Sequence, residues 1–98
     1  MITYGFVPSY GDAVTIGSLF KINNLTFCAT YISVGGAGDI VWENNQGEAQ
    51  WFPGAQAGQV YILGARRILA SGTVNNVSRT TTATNMSWLA TTQLFNAP

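Results

Sequence analysis

Between Val34 and Thr73, short apolar runs alternate with glycine-bearing breaks, and no stretch of the chain sustains the i, i+3, i+4 apolar spacing that a long helix needs. The stretch opens with Val34-Gly35-Gly36-Ala37-Gly38-Asp39-Ile40-Val41. It passes through Phe52-Pro53-Gly54-Ala55-Gln56-Ala57-Gly58 and closes with Arg67-Ile68-Leu69-Ala70-Ser71-Gly72-Thr73. Glycine adopts positive φ without steric cost, and the β-branched and aromatic residues that follow each break suit a pleated strand. Each break therefore reads as a turn feeding a strand, with Gly35, Gly36, Gly38, Pro53, Gly54, Gly58 and Gly72 as the turn positions. The Gly35–Asp39 cluster lacks the spacing and following helix of a dinucleotide fingerprint and the terminal Lys-Ser/Thr of a P-loop, so a phosphate cradle is not expected.

The pattern predicts an all-β domain, a small sandwich or barrel with extended N- and C-terminal segments. Residues 1–25 mix glycines with Tyr4, Phe6, Tyr10 and Phe20 without clean periodicity and read as an arm with short extended pieces. Asn23-Asn24 turns into a strand over 25–34. Both of its faces are apolar, Phe27 and Tyr31 on one and Ile32 and Val34 on the other, so both are expected to be covered. A hairpin is predicted over 39–52 around Asn45-Gln46-Gly47. If Glu43 pairs with Glu48, Trp42 and Trp51 share a face. A three-residue loop with Gly47 left-handed separates them, and both registers stay open. Gly64 marks a bulge or corner between runs 59–63 and 66–70. The expected division is an arm over 1–25, a β core over 26–73 and a Thr/Asn-rich segment over 74–98.

Charge is the scarce ingredient. Only 8% of the 98 residues are charged, against about a quarter in an ordinary globular protein, and thirty are Ser, Thr, Asn or Gln. Copies with net charge +0 repel one another weakly, which suits a packed subunit better than a solitary soluble protein. Lys21, Arg66, Arg67 and Arg79 are matched by Asp12, Asp39, Glu43 and Glu48, leaving no basic stripe for nucleic acid. No apolar run is long enough for a membrane helix, and the first residues lack the basic and apolar regions of a secretory signal, so neither membrane nor export is expected. The single Cys28 reads as a small buried residue.

The inventory for catalysis is thin. With no histidine, the usual general base and metal ligand are missing, and neither cofactor nor metal is expected. Glu43 and Glu48 are the best carboxylate pair for glycoside hydrolysis, although two glutamates at a hairpin tip are more simply solvated. Trp42, Trp51 and Trp88 offer stacking surfaces for a sugar or, more simply, a core. Arg66 and Arg67, adjacent in a predicted strand, point to opposite faces. With Tyr4, Phe6 and Tyr10 they are the candidate contacts between subunits.

In order and spacing, the three motifs at 34–40, 52–58 and 67–73 resemble the head-spike base and capsid decoration proteins of tailed phages and phage-derived gene transfer agents. The resemblance covers about forty residues and leaves 74–98 beyond the family's pattern. It implies a β-structured virion protein, made in a host cytoplasm and sitting on the capsid surface, that forms a ring of identical copies and holds a fibre or spike. It implies no enzyme activity. Expected partners are the protein itself, as a trimer or pentamer, and the major capsid protein or a fibre protein. A tail or baseplate adaptor and a monomeric carbohydrate-binding domain are the alternatives.

Overall fold

The computed structural model describes residues 12–22 and 24–93. The expected contacts of Tyr4, Phe6 and Tyr10 lie outside the described residues, and the side chain of Cys28 is not among those described. The fold is all-β. Its strands are β1 (Asp12–Ala13), β2 (Lys21–Ile22), β3 (Leu25–Ser33), β4 (Gly38–Glu43), β5 (Ala49–Ala55), β6 (Val60–Leu63), β7 (Arg67–Leu69), β8 (Ser71–Val74), β9 (Val77–Thr80) and β10 (Ser87–Gln93).

Strand β3 is the spine of one sheet. Antiparallel β10 lies on one side of it, β2 and β6 lie on the other, and β1 pairs with the outer edge of β10. A second sheet has the order β5-β4-β7, and β8 and β9 form a separate hairpin. Ile32, Leu63 and Trp88 of the first sheet and Ile40, Ala55 and Ile68 of the second meet in one buried cluster. Complete burial of each large aliphatic side chain there contributes about 1.5–3 kcal/mol. Phe20 enters the same cluster from the segment between β1 and β2, its ring centroid 4.8 Å from that of Trp88.

The hairpin register settles on the three-residue loop. Asn44 N–H donates to the Glu48 carbonyl, 2.9 Å, and Gly47, at φ 85°, donates to the Asn44 carbonyl, 3.0 Å. Trp42 therefore pairs with Gln50 and Trp51 with Val41, placing the two tryptophans on opposite faces. Gly64 lies in the corner between β6 and β7, where the chain leaves the first sheet for the second, as expected.

Three expectations are corrected. Gly35, Gly36 and Gly38 are not at positive φ; among the described glycines only Gly17, Gly47, Gly54 and Gly58 are. The crossing from β3 to β4 instead bends at Gly35 without positive φ and lies against the crossing from β9 to β10. Gly36 N–H donates to the Thr84 carbonyl, 2.8 Å, Thr84 N–H donates to the Gly36 carbonyl, 3.0 Å, and Gly35 N–H donates to the Asn85 carbonyl, 3.0 Å. A β-carbon on Gly35 would lie 2.7 Å from Asn85 Cβ, one on Gly36 would strike Thr84 Oγ1, and one on Gly38 would strike the backbone nitrogen of Ala83. These glycines are required by close approach, not by a turn.

Gly72 is likewise not a turn residue. It sits inside β8, where a β-carbon would come within 2.9 Å of Ala49 Cβ. Finally, the core does not stop at residue 73. The segment expected to trail beyond it supplies β9 and β10 and buries Ala83, Met86 and Trp88. The signals missed there are Val74-Asn75-Asn76-Val77, a two-residue hairpin loop with both asparagines at positive φ (51° and 65°), and the alternation of Met86 and Trp88 inward with Leu89 outward.

Candidate functional site

Four of the eight charged residues form one cluster and one aromatic pair. Glu43 ends β4, and Arg66 and Arg67 lead into β7 beside it. Arg66 Nε donates to Glu43 Oε1 at 3.2 Å. Arg67 Nε lies 2.6 Å from the same oxygen, but its N–H is not aimed at it, so that contact is purely electrostatic. The expectation that the two arginines face opposite ways therefore fails, because Arg66 precedes the strand and the alternation does not reach it. Their guanidinium groups meet within this chain, and Arg67 Nη1 also donates to the Gly17 carbonyl at 3.2 Å. Glu43 is thus committed to two cations, whereas Glu48 is exposed and accepts from Asn44 Nδ2 at 3.2 Å.

At the second place, the Arg79 guanidinium sits 3.7 Å from the centroid of the Trp51 ring, a cation–π contact that covers one face of that indole. Trp88 is buried in the core, and Trp42 is half-buried against it. None of the three tryptophans is fully exposed. The remaining glycine and proline positions shape the end of β5. Pro53 and Gly54, expected in a turn after Phe52, instead lie inside β5, where they form a bulge across from Asp39, with Gly54 at φ 76° and its N–H donating to Asp39 Oδ1 at 2.9 Å. Gly58, at φ 82°, lies in the tight turn before β6, as predicted.

The feature not legible in the sequence is the outer face of the first sheet. Tyr61, Ile32 and Trp88 form a cross-strand row toward the core, so the neighbouring row, Ile62, Tyr31 and Leu89 in direct register, faces the other way. Ile62 is 66% exposed and Val60 39% exposed, while Tyr31 and Leu89 are half-buried. The outer face of β3, expected to be covered, is only partly covered there at Tyr31. No family model matches the chain, and no curated protein or solved structure matches it.

Proposed function

We propose that the chain is a non-enzymatic structural subunit of a virion, a capsid-bound decoration or spike-base protein that assembles with copies of itself and anchors a fibre or spike. The observation that carries this reading is the apolar row Ile62-Tyr31-Leu89 across three paired strands, exposed at Ile62 and half-buried at Tyr31 and Leu89, on a protein with only eight charged residues. Clustered apolar surface of this kind marks a place where another macromolecule sits. The low charge means that such contact strips little water from ions. The virion setting rests on the resemblance of the three glycine-bearing motifs, and a tail or baseplate adaptor differs from it only in its neighbours.

The competing class, a monomeric carbohydrate-binding domain, needs a tryptophan face open to a sugar. The burial of Trp88 and the cover of Arg79 over Trp51 weigh against it. Light scattering on the purified chain at micromolar concentration, followed by titration with simple sugars while tryptophan emission is recorded, tests the choice. The proposal expects a closed oligomer with emission indifferent to sugar. A monomer with saturable, sugar-dependent quenching would overturn it.

A further inference from the structure

We infer that the outer edge of β6 is the contact between copies, two β6 strands pairing antiparallel about a two-fold axis at Ile62. The inference rests on the proposed self-assembly and adds its surface and register.

An open strand edge invites another strand, and proteins blunt such edges with charge, proline, bulges, short strands or a covering segment. Among the described residues, the outer edge of β10 is taken by β1 at Ser87 and Trp88 and is irregular beyond Ala90, and the edges of the other strands outside β6 are treated as follows. β1 and β2 are two residues long and carry Asp12 and Lys21. β5 carries Pro53 and the bulge at Gly54. β7 is covered by the segment before β2, with Gly17 N–H donating to the Ile68 carbonyl, 2.7 Å, and Phe20 N–H to the Arg66 carbonyl, 2.9 Å. β9 carries Arg79, and β8 is pressed against Ala49 of β5 through Gly72. β6, Val60-Tyr61-Ile62-Leu63, has no charge, proline or bulge and, among the described residues, is paired only with β3.

The direction of its free backbone groups follows from the register. Val34 N–H donates to the Gln59 carbonyl, 3.1 Å, so in the antiparallel alternation Tyr61 and Leu63 turn their backbone groups toward β3. Those of Val60 and Ile62 turn outward. The exposed apolar side chains and the outward backbone groups thus belong to the same two residues.

A second copy fits this edge because the strand is complementary to itself. With the axis at Ile62, that residue pairs with Ile62 of the second copy and Val60 pairs with its Gly64. No like charges are opposed. The apolar row then runs from Leu89 through Tyr31 and Ile62 into the same three residues of the second copy. A two-fold contact gives an even copy number in place of three or five.

Ile62→Lys tests this. The side chain is mostly exposed, so the substitution leaves the fold intact while opposing two ammonium groups at the axis. By native mass spectrometry the wild type should be an even-numbered oligomer and I62K a monomer at the same concentration. An equimolar mixture of I62K and I62E should restore assemblies holding equal numbers of each. Hydrogen exchange should show the Val60 and Ile62 amides protected in the wild type and exchanging freely in I62K. Oligomers that survive I62K, or an assembly with those two amides unprotected, would overturn the β6 contact while leaving self-assembly intact. A wild type that stays monomeric would overturn the contact as well, and the sugar titration would then decide between the structural and carbohydrate readings.

Discussion

Gly36 and Thr84 exchange two backbone hydrogen bonds across a contact so close that a β-carbon on Gly36 would strike Thr84 Oγ1. This is the seam of the molecule. The crossing from the first sheet to the second lies directly on the crossing from the β8–β9 hairpin back to the first sheet, and the glycines of the former let the backbones meet.

The seam separates two kinds of glycine. Gly36→Ala should cost about 1–3 kcal/mol through overpacking, and Thr84→Ala should relieve part of that loss, because the obstruction is mainly a hydroxyl. Gly38→Ala meets backbone of residues 82 and 83 first and should not be relieved by trimming side chains. Gly58 has open space but positive φ, so Gly58→Ala should cost about 1 kcal/mol and Gly58→Asn less. Urea denaturation of the set, analysed as a double-mutant cycle for Gly36 and Thr84, reads out each value.

Asp39 ties the seam to the bulge. Its N–H donates to Thr82 Oγ1, its carbonyl accepts from Thr82 and Ala83, and its side chain accepts from Gly54. Asp39→Ala should destabilise by about 1–2 kcal/mol, while Asp39→Asn, which keeps an acceptor oxygen, should lose less than half of that. Thermal unfolding of the two variants side by side measures the difference.

Thr81 places one hydroxyl between two strands. Its Oγ1 accepts from Val41 N–H at 2.8 Å and donates to the Leu69 carbonyl at 2.7 Å, on a residue pair already in register between β4 and β7. Thr81→Val preserves shape but strands a buried donor, and should cost about 1–3 kcal/mol. Thr81→Ser should be close to neutral. Chemical denaturation decides between them.

Glu43 holds Arg66 and Arg67 with all three side chains less than a third exposed, at 19%, 23% and 31%. Glu43→Gln leaves two part-buried cations facing each other and should cost about 1–3 kcal/mol. Added salt should weaken the wild type and strengthen the variant, because screening removes attraction in one and repulsion in the other. Denaturant midpoints at low and high salt provide the check.

The all-β class, the strand over 25–34, the Gly64 corner and the Gly54 and Gly58 conformations were legible because each depends on local chemistry: periodicity of two, or a positive φ that a neighbour-free glycine adopts. The seam was not. Gly35, Gly36 and Gly38 look the same in sequence whether they turn the chain or admit a second backbone, and their partners lie more than forty residues away. The same distance hid β10, whose Thr-rich end has little apolar pattern until β3 is beside it. Arg66 and Arg67 were visible as unusual residues, but their shared partner depended on where β7 begins. The Ile62-Tyr31-Leu89 row required the registers of β3 with both its neighbours, which no single segment encodes.

The central claim, that this is a self-assembling structural subunit, is tested most directly by native mass spectrometry of the whole chain at micromolar concentration and near-physiological salt. The account predicts one closed oligomer of even copy number, with little monomer. A strict monomer across the concentration range would contradict it.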